Sequence, residues 1–282
     1  MQSETYSRFI QHYSDLLDSF HFYFNRSRLN PEIEDLHNLR VSIKKLRAMW
    51  SLLQTVSNGS WKKKEHFELI SELFRATGKV RETQVNLIIT EKYNADYLVA
   101  FNEYLAENQV KAEEKLRAQI QVFNPEELKE LDNKMFHAIK EQRSDMEPEQ
   151  LISFVLKETR KVDKLSKQLP SDRKLHKIRI RLKAVAEILT IASELNPHVV
   201  LIDFLDRVRW LNEFIGDWHD YQILLSSITD FLSSGQKEQT TGELEDFITR
   251  TTAWQDKKQV EITVLLDRSI SHQQMEQIEN CL

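Results

Sequence analysis

The sequence has few residues that bend, break or cross-link a chain. Only five glycines and five prolines occur among 282 residues, and long stretches are rich in Glu, Lys, Leu and Gln, so we expect long α-helices and no β-rich fold. A single cysteine, Cys281, excludes an intramolecular disulfide and fits a reducing compartment. No apolar run approaches the ~18 residues that span a bilayer, and no signal-peptide core begins the chain. We therefore expect a cytoplasmic protein.

Acidic residues are missing from two parts of an otherwise acidic chain. The formal net charge is −5, yet residues 36–64 carry seven basic side chains and no acidic one, and residues 173–186 carry six and none. Both segments are called basic islands below. Positive charge that is concentrated in two islands produces a directed field, which suits the binding of an anion.

Each basic island shows the periodicity of an amphipathic helix. In the first, apolar residues from Leu36 to Leu53 alternate spacings of three and four, which predicts one buried helix face. Basic residues border that face at His37, Arg40, Lys44 and Arg47. The second island repeats the border 139 residues later, at His176, Arg179 and Lys183. We therefore expect two amphipathic helices, each with a basic stripe along one edge.

A second shared pattern follows each basic helix. The pattern G-x-x-[RH]-[ED]-x-Q-[VI]-x-L begins at Gly78 and again at Gly216, 138 residues later. Two unrelated patterns in the same order, at nearly one offset, indicate an internal duplication. We predict two helical-bundle repeats, residues 1–145 and 146–282, which face each other about a pseudo-twofold axis within one domain.

Capping and breaking signals predict about ten helices and no strand. The first helix is expected at residues 4–26, and the first basic helix between Asn30-Pro31 and Asn58-Gly59. Gly78 and Gly216 are expected to interrupt the helices that follow, at a sharp bend or a close helix approach. The predicted fold class is all-α, a duplicated bundle of long antiparallel helices around a basic central groove.

The basic stripes have two interpretations. They are either the solvated borders of amphipathic helices or a surface that binds an anion. A helix built for stability places acids four residues from its bases, whereas here like charges stand three and four residues apart. A linear polyphosphate fits such a row, because it has no base to stack and needs regularly spaced Lys and Arg. Histidine beside phosphates becomes cationic, so binding is expected to strengthen at mildly acidic pH.

Both motifs resemble the CHAD domain (conserved histidine α-helical domain). Its hallmark helix H-x-x-R-[VI]-x-x-[KR]-R-L-R corresponds to residues 37–47 and more weakly to 176–186, where Ala184 and Ala186 replace Lys45 and Arg47. The resemblance extends over about residues 5–270. It implies paired helical bundles with a basic central cavity that binds inorganic polyphosphate without catalysis, and an association with polyphosphate granules. The binding residues expected from it are His37, Arg40, Lys44, Lys45, Arg47, Arg81, His176, Arg179, Arg181 and Lys183.

Some neighbouring residues leave alternatives open. Arg81 and His219 either point into the shared groove or are engaged by the adjacent Glu82 and Asp220. The lysines at 62–64 either extend the basic surface or simply begin a solvated helix. Because the second motif departs from the family pattern, the first repeat is expected to provide the stronger contact surface.

Two other functions remain possible. An enzyme acting on phosphate chains would resemble the triphosphate-tunnel domains that often accompany CHAD domains, but the E-x-E occurrences here lack the required lysine and no strand-rich region exists. A scaffold would use the same basic face to bind a protein or a nucleic acid. The absence of stacking aromatics on this face disfavours nucleic acid. No metal site or cofactor is expected, since no H-x-x-x-H pair, HExxH motif or glycine-rich phosphate loop occurs.

Overall fold

A computed structural model describes residues 4–29, 32–57, 61–141, 147–167, 170–234 and 242–280. Within these ranges the chain forms ten α-helices and no strand, which confirms the all-α class. The helices are α1 Glu4–Leu29, α2 Ile33–Val56, α3 Lys64–Glu91, α4 Val99–Val122, α5 Pro125–Glu141, α6 Pro148–Ser166, α7 Asp172–Leu195, α8 Val199–Ser233, α9 Gly242–Ser269 and α10 His272–Glu279. A short 3-10 turn at Asp96–Leu98 precedes α4.

The expected interruptions at the two motif glycines are wrong. Helix α3 passes through Gly78 and helix α8 passes through Gly216 without a break. A glycine inside a helix costs only about 1 kcal/mol relative to alanine, so a long, well-packed helix tolerates it. The predicted cap at Asn30-Pro31 and the predicted stop at Asn58-Gly59 lie outside the described residues.

The apolar faces of α2 and α7 are buried at the centre of the main core. The six apolar residues that predicted α2 are at most 3% exposed, and the corresponding face of α7, from Leu175 to Leu189, is equally buried. Helix α2 packs against α1, α3, α6 and α7, while α7 also packs against α1, α6 and α8. Because both apolar faces enter one core, the basic stripes at their edges are brought next to each other.

The core is continuous across the predicted repeat boundary. The main cluster of buried apolar side chains contains, for example, Trp50 of α2, Leu182 of α7 and Ile262 of α9. A smaller cluster joins α3 and α4 to α8 and α9, with Phe101 and Phe231 in edge-to-face contact at 5.5 Å. None of the described helices is long and apolar enough to cross a membrane.

Candidate anion-binding cavity

Helices α2, α3, α7 and α8 enclose a cavity of about 440 Å³. Each of these four helices carries one of the shared sequence motifs, so packing the apolar faces together places the motif side chains around one space. The cationic residues that line it are Arg40, Lys44, Lys45, Arg81, Arg179, Lys183 and Arg209, accompanied by His37 and His219. Four carboxylates also line it, from Glu82, Glu187, Glu213 and Asp220. The cavity therefore holds a formal excess of positive charge.

Lys44 of α2 and Lys183 of α7 meet directly across the cavity. Their side chains are hydrogen-bonded to each other, and no ion pair joins either of them to a carboxylate of the described residues. Burial, with the charge of Lys183 next, lowers the pKa of Lys44 to about 6. Burial and then the charge of Arg179 lower the pKa of Lys183 to about 8. At neutral pH, Lys44 is therefore largely an uncharged amine that accepts a hydrogen bond from the Lys183 ammonium.

The two motif glycines lie against the two motif arginines. A Cβ added to Gly78 would stand 2.7 Å from Nη1 of Arg40, and one added to Gly216 would stand 3.5 Å from Nη2 of Arg179. Nη1 of Arg40 donates a 2.9 Å hydrogen bond to the carbonyl oxygen of Phe74. The absent side chain at Gly78 thus lets the guanidinium of Arg40 lie against α3. A close approach was one of the two roles expected for the glycines. The other expected role, an interruption of the helix, is not observed in α3 or α8.

Arg40 and Arg179 are held with their charges poorly compensated. The pKa of Arg40 is lowered to about 10, chiefly by burial; the charge of Glu82 opposes this shift and that of Arg179 adds to it. The pKa of Arg179 is also lowered by burial, and its buried Nε has no hydrogen-bond partner among the described residues. Buried donors of this kind are costly unless an acceptor reaches them. An anion in the cavity would supply such an acceptor.

The motif histidines are close to the same cations. The His176 and His219 rings lie 5.1 Å apart, and His37 lines the cavity wall. Burial, followed by the charge of Arg179, lowers the pKa of His219 to about 3. The pKa values of His37 and His176 are lowered by burial, with Arg81 and Arg179 respectively as the next causes. An anion that offsets the surrounding charge would favour protonation of these rings.

Acidic residues of the cavity-lining helices also reach the cavity, and two of them, Glu187 and Glu213, lie outside the sequence motifs. Glu187 accepts a 2.8 Å hydrogen bond from Nε2 of His12 and lies 3.6 Å from Nζ of Lys45, so it partly neutralises Lys45. Glu82 pairs with Lys79 at 2.9 Å. Arg81 and His219 both line the cavity, and their neighbours Glu82 and Asp220 do as well. Arg81 and His219 therefore face the cavity, as the first alternative has it, while the ion pair of Glu82 is with Lys79.

Three of the expected binding residues, Arg47, His176 and Arg181, are not among those that line the cavity. The guanidinium of Arg47 lies over the rings of Phe67 and Phe74, at 4.4 and 4.9 Å from their centroids. Arg181 is ion-paired with Glu158 of α6. Arg181 is two residues from Arg179, so it projects from a different side of α7. In all, seven of the ten expected residues line the cavity, His176 lies beside it, and Arg47 and Arg181 lie outside it.

Arg209 lines the cavity and was missed. It stands seven residues before Gly216, and residues three, four and seven apart share one helix face. Extending the face of Gly216, His219 and Ile223 backwards along α8 would have found it. Within the described ranges, no group of three or more His, Cys, Asp or Glu is placed to hold a metal ion.

Comparison with known proteins agrees with the motifs. The model of the CHAD domain family matches residues 17–229. The crystal structure of the CHAD domain from the plant Ricinus communis superimposes with a TM-score of 0.70 at 15% sequence identity, covering 95% of this chain and 92% of that chain. At this identity the likeness shows a shared fold. No curated protein matches the chain.

Proposed function

This chain belongs to the CHAD domain family, and from that premise we propose that its cavity binds inorganic polyphosphate, as a binding module and without catalysis. The observation that carries the proposal is the contact between Lys44 and Lys183, two buried lysine side chains on facing helices that both line the cavity, with no ion-paired carboxylate for either among the described residues. Without a ligand only one of the two amines is mostly charged at neutral pH, because burial disfavours the charged form and two like charges held together in a buried site disfavour each other. The arrangement becomes favourable when a phosphate chain lies between or over them.

The composition of the cavity supports a phosphate chain over a nucleic acid. Among the described residues that line it there is no Phe, Tyr or Trp, and single-stranded nucleic acids are usually held by stacking on such rings. Arginine and lysine from four helices offer charge-assisted contacts to phosphate oxygens. A ligand made of phosphate alone uses these contacts fully. A cytoplasmic location and an association with polyphosphate granules remain predictions.

The experiment is a titration of the protein with long-chain polyphosphate across a salt series. The test variant is Lys44→Ala/Lys183→Ala, which removes the facing pair. A matched control, Lys111→Ala/Lys115→Ala, removes two lysine side chains from exposed positions on α4. We expect salt-dependent binding to the wild type and the control, and a loss of at least about tenfold in the test variant, since two charge-assisted contacts disappear.

Competition decides between polyphosphate and the alternative ligands. Duplex DNA at physiological salt should be a poor competitor for bound polyphosphate. If DNA displaces polyphosphate as effectively as free polyphosphate does, the chain is a nucleic-acid scaffold. If the wild type binds no polyphosphate even at low salt, the proposed function is refuted and a protein partner becomes the leading alternative.

A further inference from the structure

A row of cationic side chains extends from the cavity along the interface of α2 and α3. Arg40, which lines the cavity, lies 4.4 Å from the centroid of the Phe74 ring, and Arg47 lies 4.9 Å from the same centroid. Arg47 also lies 4.4 Å from the Phe67 centroid, and Nζ of Lys63 lies 5.0 Å from that one. The rings of Phe74 and Phe67 are therefore each in contact with two successive cations of the row, which continues from the cavity to Lys63.

Further cations on α6 and α7 lie near Lys63, at the far end of this row. Glu158 accepts a 2.5 Å hydrogen bond from Nζ of Lys161 and is also paired with Arg181. The pKa of Lys63 is lowered first by burial, while Glu158 raises it and the nearby cations Lys161, Arg47 and Arg181 lower it. These four cations and Glu158 are called the outer basic cluster. One carboxylate among four cations leaves a formal excess of +3.

The side chains of the outer basic cluster are already ordered. Nζ of Lys63 donates a 2.9 Å hydrogen bond to Oγ of Ser51, and Arg47 is held over two rings. Lys161 and Arg181 keep 41% and 32% of their side-chain surface exposed, so they are accessible to a ligand. Cations that are ordered in advance lose less entropy when an anion binds. The cluster therefore differs from scattered surface lysines.

The row of cations extends well beyond the cavity. From Arg40 to Ser51, the residue that positions Lys63, α2 advances eleven residues, which is roughly 16 Å at 1.5 Å per residue. A polyanion that fills only the cavity does not contact Lys63 or Lys161. A longer one, entering or leaving beside Arg47, passes both.

We infer that the outer basic cluster is a second contact surface for the same polyanion, which makes the protein prefer long phosphate chains to short ones. This inference rests on the proposed function of the cavity. In it, Glu158 acts as a competing anion, because its carboxylate holds Lys161 and Arg181 until phosphates take its place. The cavity binds chains of any length, and the cluster adds affinity only for those that extend beyond it.

The test compares tripolyphosphate with long-chain polyphosphate on three variants. Lys63→Ala/Lys161→Ala should weaken long-chain binding about tenfold or more, and should reduce the slope of log K against log salt by roughly 0.7 per lysine, while leaving tripolyphosphate within about twofold. Glu158→Gln should strengthen long-chain binding and leave tripolyphosphate unchanged. Lys111→Ala/Lys115→Ala on α4 should change neither ligand.

The outcomes separate this inference from the proposed function. Unchanged long-chain binding in Lys63→Ala/Lys161→Ala overturns the second surface, provided that the wild type binds polyphosphate. An equal loss for both ligands also overturns it, because the cluster would then act through its general field. If the wild type binds neither ligand, the proposed function fails first and this inference fails with it.

Discussion

Alanine at the two motif glycines should have opposite effects, and the structure gives the reason. At Gly78 the new Cβ would lie 2.7 Å from Nη1 of Arg40, well inside the 3.4 Å at which ordinary contact begins, so the guanidinium must move by about 0.7 Å or more. At Gly216 the Cβ would lie 3.5 Å from Nη2 of Arg179, which is an ordinary contact. The same substitution on equivalent helices thus moves one arginine and not the other.

The effect on stability follows from two contributions. Alanine stabilises a helix interior by about 1 kcal/mol relative to glycine. In Gly216→Ala nothing opposes this gain, so the melting temperature should rise by about 2–4 °C for a chain of this size. In Gly78→Ala the displaced Arg40 loses its 2.9 Å hydrogen bond to Phe74, and a bond from a charged donor contributes about 1.5–3 kcal/mol. Gly78→Ala should therefore be destabilising by about 0.5–2 kcal/mol.

The effect on binding is the sharper measurement. Because the clash involves the far end of a flexible side chain, Gly78→Ala should fold, yet it should place Arg40 wrongly for a phosphate oxygen. We expect polyphosphate affinity to fall about tenfold in Gly78→Ala, equivalent to about 1.4 kcal/mol, and to stay within about twofold in Gly216→Ala. Calorimetric titration of both variants, with thermal unfolding as the check on folding, measures this. Equal losses in both, or wild-type affinity in Gly78→Ala, would refute the reasoning.

Two further predictions follow from the lysine pair. Binding of long-chain polyphosphate at pH 7 should take up protons, because phosphates raise the lowered pKa values of Lys44 and Lys183, which stand at about 6 and 8. Calorimetry in buffers of different ionisation enthalpy should show an uptake of up to about one proton. An absence of proton uptake would contradict this prediction. Without ligand, the unfolded chain holds the Lys44 proton up to its ordinary pKa of 10.5 whereas the folded chain releases it near 6, so the free energy of unfolding should rise with pH between these values. Lys44→Met should flatten that rise and stabilise the protein at pH 7 by about 1 kcal/mol or more, and chemical denaturation that shows the wild type more stable than this variant at pH 7 would refute it.

The fold was predictable because its signals are local. Spacings of three and four among apolar residues identified the buried faces of α2 and α7, and the scarcity of glycine and proline identified long helices. The error at Gly78 and Gly216 has the same origin. Sequence reasoning treats glycine as a break, whereas here each glycine leaves space for an arginine from another helix, and that contact between distant segments is invisible in either segment alone.

The site was predictable only in part. The helix periodicity brought His37, Arg40 and Lys44 to one edge, and the structure places all three on the cavity wall. The acids that reach the cavity, such as Glu187 and Glu213, come from positions outside the basic stripes and carry no motif. The course of a long side chain is likewise set by its neighbours: Arg47 turns to the rings of α3, and its position in the stripe does not reveal this.

The continuous core makes the two predicted repeats depend on each other for burial of their apolar surfaces. Contacts between α2 and α7, and between α3 and α8, cross the predicted boundary at residue 145. If the chain were cut there, each fragment would present to water the apolar surface that the other now covers, as a subunit of an obligate dimer does when its partner is removed. The peptide link then acts as a tether that keeps two such subunits at high effective concentration. Assembly of the anion-binding cavity, which takes walls from both sides of the link, is thereby independent of how dilute the protein is.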